Sequence, residues 1–275
     1  MRIAAWNHPV NHPVMTALQE SGIASVEATT IAECIALLKS SVADVALLPS
    51  EMALGGHADM DVLPAVAVSS WVNPYAALVI GDQLGAPTLG IMHGPEGRPS
   101  ALLAAIILKE HYQTSAVLNE QATMPDGIAS HALITVPLEG LDSASKKDVL
   151  SDEEKAEQNA AATTLDLGLE WSEMASYPFV WSVFVCRRDE ASDKMIIAIR
   201  DAMKHLDTHR VEAVQRWDLD SVAEDFFLNE LRVTMDDLAV ASLTELCDHL
   251  FFYGITEEVL PVQFATLQNP SSDED

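Results

Sequence analysis

The sequence predicts an α/β fold, and three observations carry the prediction. Residues 42–48 hold Val42, Val45, Ala46, Leu47 and Leu48, a near-continuous apolar run of strand length, as expected of a parallel strand covered on both faces. Residues 31–39, just before it, place Ile31, Cys34, Ile35, Leu37 and Leu38 at helical spacing, so that strand, helix and strand follow one another. With 49% hydrophobic residues in a chain of 275, there is core enough for one large or two medium domains.

The charge balance narrows the partners. A formal charge of -27, from 42 acidic against 15 basic side chains, argues against nucleic acid and anionic membranes, both of which need Lys and Arg to neutralise phosphate. An acidic surface solvated in a salt-rich, halophilic cytoplasm accounts for the balance; calcium storage or a polycationic partner is the alternative. Cys34, Cys186 and Cys247 have no metal-type spacing and each lies in an apolar run, which reads as buried, reduced thiols.

Residues 2–6 read as the first strand. The tandem Asn7-His8-Pro9-Val10 and Asn11-His12-Pro13-Val14 follows, and Pro13 suits the first turn of a helix running through Leu18, where no backbone donor is needed. His8 and His12 have no carboxylate or cysteine set close by in sequence, so a loop shaped by two prolines is favoured over a metal site. Pro49 ends the central strand and leaves Ser50 at its carboxyl tip, where ligands gather in open α/β sheets. Residues 51–56 read as a short helix broken by glycines. Residues 63–70 read as a strand ending in Ser69 and Ser70, which are either turn formers or ligand contacts.

A strand at 75–80 then crosses into a second domain, closed by Gly81-Asp82 and Gly85-Ala86-Pro87, and 88–92 is the next strand. The turn Gly94-Pro95-Glu96-Gly97-Arg98 feeds an apolar helix at 101–108. Such a turn offers unpaired N–H groups and partial positive charge to an anion, and Arg98 adds a full charge; an ordinary strand-to-helix loop is the alternative. Residues 131–138 read as a buried strand, and the acidic, alanine-rich stretch 139–163 as an exposed, mobile insertion. The aromatic and β-branched run 177–185 suits a strand that returns the chain to the first domain.

The remainder reads as helical. Apolar stripes run through Ile196, Ile197, Ile199, Met203 and Leu206, through Phe226, Phe227, Leu228 and Leu231, and through Leu243, Leu246, Cys247, Leu250 and Phe251, the last ending at Tyr253-Gly254. The acidic tail 269–275 reads as disordered. The sequence has no Gly-rich nucleotide loop, zinc ligand set, nucleophile elbow or CxxC, which leaves a reaction without cofactor or metal, or simple binding.

Three stretches together carry a resemblance. Ala43-Asp44-Val45-Ala46-Leu47-Leu48-Pro49-Ser50, then Leu165-Asp166-Leu167-Gly168-Leu169-Glu170-Trp171, then Tyr177-Pro178-Phe179-Val180-Trp181-Ser182-Val183-Phe184-Val185 occur in the order and at the separation seen in the chorismate dehydratase family of menaquinone biosynthesis, which this chain resembles. The resemblance implies a two-lobed type II periplasmic-binding-protein-like fold with a ligand cleft between lobes. Lobe one would comprise 1–78 and 184–275, and lobe two 79–183. It implies substrate binding by Ser50, Ser69, Ser70, Arg98 and Ser100, and catalysis by Asn11, with Asn7 the alternative because the tandem repeat permits both alignments. Two segments depart from the family pattern: Trp71-Val72-Asn73-Pro74-Tyr75-Ala76 replaces a Gly-Pro-Val turn, and Val136-Pro137 stands where the family has a Gly-Asp pair.

The activity so implied is a hydro-lyase reaction, dehydration of chorismate to 3-enolpyruvylbenzoate, in which loss of a ring hydrogen and a hydroxyl gains aromaticity and lobe closure excludes water. The partner would be a small carboxylate anion. A carboxylate-binding protein without catalysis and a related menaquinone-pathway enzyme with another substrate are the alternatives. No apolar run reaches the roughly 18 to 20 residues of a membrane span, and the run at 2–6 is short for a secretory segment, so the expected location is the cytoplasm.

Repulsion among 42 acidic side chains is screened over only about 3 Å in molar salt. The protein is therefore expected to melt at a higher temperature in molar KCl than in dilute buffer. An equal or lower melting temperature in KCl removes the halophilic reading.

Overall fold

A computed structural model describes residues 1–55, 59–80, 87–120, 132–137, 163–217 and 219–266. The expected insertion, apart from Thr163, lies outside these residues, as do Gly81-Asp82, Gly85-Ala86 and the tail. The chain forms two units, Met1–Ser70 with Tyr177–Asp275, and Trp71–Ser176. Elements are numbered along the whole chain.

Unit 1 is built on six strands, β1 (Arg2–Trp6), β2 (Ser25–Thr29), β3 (Val45–Pro49), β4 (Met60–Ser70), β10 (Phe179–Arg187) and β11 (Arg232–Val233), in the order β11-β4-β10-β3-β1-β2. β1 lies parallel to β2 and β3, whereas β10 is antiparallel to β3 and β4. Every residue of β3 is buried, as its unbroken apolar run requires. β2 is the edge strand, and Ser25-Val26-Glu27-Ala28-Thr29 is partly to fully exposed. Without an apolar run, it escaped the periodicity argument.

Three helices follow the first strands: α1 (His12–Glu20), α2 (Ile31–Lys39) and α3 (Ser50–Leu54). Pro13 occupies the first turn of α1, whose buried face is Val14, Met15, Ala17 and Leu18, and Gly22 follows its end at φ 67, a left-handed conformation that glycine adopts without strain. α2 begins at a capping box, in which the Thr30 hydroxyl accepts from Glu33 N and the Glu33 carboxylate accepts from Thr30 N.

The chain returns through β10 into α6 (Asp193–Thr208), α7 (Arg210–Trp217), α8 (Ser221–Asp225) and α9 (Asp237–Phe252). Of the stripe expected on α6, Ile196, Ile199, Met203 and Leu206 are buried, but Ile197 is 53% exposed because it stands a third of a turn away from the rest. The helix expected to begin at Phe226 is instead a single π turn, Phe226–Glu230, ended by Leu231 in an extended conformation. The chain must straighten there, since Arg232 and Val233 pair with Ser69 and Val68 at the edge of β4.

Unit 2 has five strands, β5 (Ala77–Ile80), β6 (Thr88–His93), β7 (Ser115–Glu120), β8 (Ala132–Pro137) and β9 (Thr163–Asp166), in the order β7-β6-β8-β5-β9. Its helices are α4 (Arg98–Glu110), buried throughout Pro99 to Leu108, and α5 (Leu167–Ala175). The boundaries between units fall after Ser70 and Ser176, earlier than 78 and 183. Phe179 and Val180 already pair with Ser70 and Ser69 in unit 1, while Asn73 N donates to the Asp166 carboxylate in unit 2. Among the described residues, no helix is long and apolar enough to cross a membrane.

All three cysteines are buried, and burial pushes the thiol of Cys186 up to about 12 and that of Cys247 up to about 11. Since the thiolate is the nucleophile, iodoacetamide in mildly alkaline buffer is expected to leave the native protein unlabelled and to label all three positions in urea. Labelling of Cys186 or Cys247 at the unfolded rate in native protein contradicts this core.

Candidate functional site

Because β10 is antiparallel to both β3 and β4, β4 runs in the same direction as β3, and the carboxyl ends of β1, β3 and β4 share one edge of the unit 1 sheet. Open α/β sheets bind ligands at such an edge. Trp6, Ser50, Ser69 and Ser70 all stand there. After Trp6 the chain enters a 3-10 turn, Pro9–Asn11, in which the His8 ring nitrogen Nδ1 accepts from Val10 N at 3.3 Å and the His8 ring stacks on Trp6 at 4.4 Å. His12 Nε2 meets Asn7 Oδ1 at 3.1 Å, and burial lowers the His12 pKa below its ordinary value. The tandem repeat thus shapes the loop with its own histidines.

Of the two asparagines, Asn7 is exposed and Asn11 is fully buried. Asn11 Nδ2 donates to Trp6 O at 3.0 Å. A backbone carbonyl only accepts, so the amide nitrogen must face it, and Oδ1 is held on the other side, buried and without a partner among the described residues. Asn11 is therefore a fixed acceptor.

The serines divide into two kinds. Ser50 Oγ, at the start of α3, donates to Val180 O at 2.6 Å across the returning strand, and Ser70 Oγ accepts from Trp181 Nε1 at 2.8 Å. Ser69 Oγ is buried without a partner among the described residues. So are two groups that the sequence argument missed, Trp6 Nε1 and Ser182 Oγ. Leaving a buried polar group unpaired costs about 1 to 3 kcal/mol, so each marks a place for water or ligand. Ser182 was legible as the lone hydroxyl in an aromatic strand. Glu51, next to Ser50 and 7% exposed, is a buried carboxylate at the same strand end.

In unit 2, α4 begins after the 3-10 turn Pro95–Gly97 with no side-chain cap on its first N–H groups. Arg98 is exposed there without a partner among the described residues, and Ser100 is buried. The departing segment Trp71 to Ala76 is anchored close to α5. The Asp166 carboxylate accepts from Asn73 N at 2.8 Å as well as from Gly168 N and Leu169 N, and a Cβ at Gly168 would lie 3.1 Å from Val72 C. That close approach explains the glycine. The other departing pair lies elsewhere: β8 is antiparallel to β6, so Val136 and Pro137 pair with Gly90 and Leu89, at the end of the sheet remote from His93 and the Arg98 turn.

A family model described as menaquinone biosynthesis matches residues 1–251. No curated protein matches the chain. Among solved structures, the chain is similar to a protein of Archaeoglobus fulgidus at 15% identity and a TM-score of 0.58, over 92% of this chain and 97% of that one. It is equally similar to a Candida albicans gene product described as exhibiting the generic periplasmic-binding-protein fold, at 15% identity and a TM-score of 0.57, over 100% and 99% of the two chains. An ABC transporter from Parabacteroides distasonis gives 13% identity and a TM-score of 0.58, over 98% and 99%. The fold is thus periplasmic-binding-protein-like.

Because the Ser50 hydroxyl is spent on Val180 O, Ser50→Ala is expected to destabilise the protein by about 1 to 3 kcal/mol in urea unfolding. An unchanged midpoint would show that the hydroxyl holds nothing in the fold.

Proposed function

Since the chain belongs to the menaquinone-biosynthesis family, we propose that it dehydrates chorismate to 3-enolpyruvylbenzoate in the cytoplasm, without cofactor or metal. The observation that supports this reading best is the buried Oδ1 of Asn11, without a partner among the described residues, at the carboxyl edge of the unit 1 sheet. In the reaction a ring carbon loses a proton and the neighbouring carbon loses its hydroxyl, which departs as water once protonated. The departing oxygen gains an O–H as it becomes water. A rigid acceptor facing it therefore interacts more strongly with the transition state than with the substrate.

The serines orient the dianion. Ser69 has its O–H to donate, and Ser70, which accepts from Trp181, keeps its own O–H as well. Ser50 donates to the protein and retains lone pairs for a substrate hydroxyl. In unit 2, Arg98, Ser100 and the uncapped amides of α4 supply positive charge and donors for a carboxylate. Arg98 is exposed, so its contribution is screened and falls below that of a buried pair. Two carboxylates can take the ring proton, one on the substrate and Glu51.

Purified protein incubated with chorismate and followed by chromatography is expected to form 3-enolpyruvylbenzoate with no added metal or nucleotide. Asn11→Ala should lower kcat by about 100 to 1,000-fold with little change in KM, as for other preorganised groups at a reacting centre. Arg98→Ala should instead raise KM. Retained turnover in Glu51→Gln assigns the base to the substrate. Tight binding with no new aromatic product supports a carboxylate-binding protein, and neither binding nor turnover means a different substrate.

A further inference from the structure

α4 ends at Glu110, and His111 closes it through His111 N donating to Ile107 O at 2.8 Å. α5 carries Glu170 and Glu173 three residues apart, which places them on one helix face. One ring nitrogen of His111 and one carboxylate oxygen from each glutamate all lie within 4.8 Å of one another, with His111 Nδ1 4.0 Å from Glu170 Oε2. We propose that His111, Glu170 and Glu173 bind a divalent cation of the zinc class on unit 2.

Three properties of the cluster support this. Glu170 is only 8% exposed, has a second carboxylate beside it, and meets no Lys or Arg within ion-pair distance among the described residues. Burying a charge is costly unless it is paired, so the carboxylate calls for a cation. Tyr112 orients two ligands at once: its hydroxyl donates to Glu170 Oε2 at 2.7 Å, and its ring stacks on His111 at 4.9 Å. Support of this kind, one shell outside the ligands, is what metal sites use to fix ligand direction. His111 and Glu173 are exposed enough to rotate inward, and ligand distances of about 2.0 to 2.2 Å need only a modest closure from the spacing observed.

The donor set selects the metal. An imidazole nitrogen with two carboxylates suits zinc, whereas magnesium and calcium take all-oxygen sets. Three protein ligands leave a fourth tetrahedral position for water. No metal-type spacing is visible in the sequence because the histidine and the glutamates come from separate helices.

The test is calorimetric titration of the chelator-stripped full chain with zinc sulfate in a non-coordinating buffer. One equivalent is expected to bind, and excess magnesium should not displace it. His111→Ala and Glu173→Gln, both at exposed positions, should each weaken binding at least about tenfold. Tyr112→Phe should weaken it by about 10 to 100-fold, while keeping all three ligands. The double variant His205→Ala, His209→Ala should bind like wild type, which separates this site from the histidine pair at the end of α6. Far-ultraviolet circular dichroism of each variant must match wild type for the comparison to count. No zinc uptake by the wild-type chain, or equal affinity in His111→Ala, overturns the proposal.

Discussion

Unit 1 depends on one strand that arrives late. β10 lies between β3 and β4, antiparallel to both, so the sheet cannot be completed until the chain has passed through 71–176 and come back. Its residues from Phe179 to Cys186 are all buried. Both ends are fastened to distant sequence: Ser50 Oγ donates to Val180 O at 2.6 Å, and the strand's own Arg187 donates through Nη1 to Leu38 O in α2 and to Ala43 O just before β3. Closing so long a loop costs entropy before any pairing compensates it. The apolar burial along β10 and its two flanking ladders is the compensation.

The same return strand sets the polar chemistry of the sheet edge. Its antiparallel direction brings its amino end, Phe179 to Ser182, to the carboxyl ends of β3 and β4. The register shifts between Val180 and Ser182, and Trp181 Nε1 reaches Ser70 Oγ. Two of the edge hydroxyls thus hold the strands together, while Ser69 Oγ, Ser182 Oγ and Asn11 Oδ1 are left without partners among the described residues. A strand whose apolar side chains build the core and whose polar groups line the edge couples stability to any ligand bound there.

Unit 2 is organised by a carboxylate. Asp166 caps α5 and also accepts from Asn73 N, so the end of β9, the start of α5 and the segment leading into β5 meet at one side chain. Trp71 to Ala76 is accordingly tied to α5 through the backbone of Val72 and Asn73, which meets Gly168 and Asp166. The other departure from the family pattern lies at the far end of the sheet, where β8 pairs with the start of β6.

The sequence by itself determined the elements that own a strong local pattern. Residues 31–39 form α2 with the expected bounds, the apolar run ending at Pro49 is β3, and Gly254 ends α9, because periodicity, capping and left-handed glycines are read within one segment. It also carried the family and fold through three separated motifs, and it placed Ser50, Ser69 and Ser70 at strand ends. Only the tertiary structure decided which hydroxyls are occupied, which amide atom of Asn11 is left without a partner among the described residues, and where β2, β7 and β11 lie. Edge strands such as Ser25–Thr29 are recruited by their neighbours and need no apolar run of their own. The π turn at Phe226–Glu230 and the grouping of His111 with Glu170 and Glu173 likewise arise from contacts between segments remote in sequence, which no local pattern encodes.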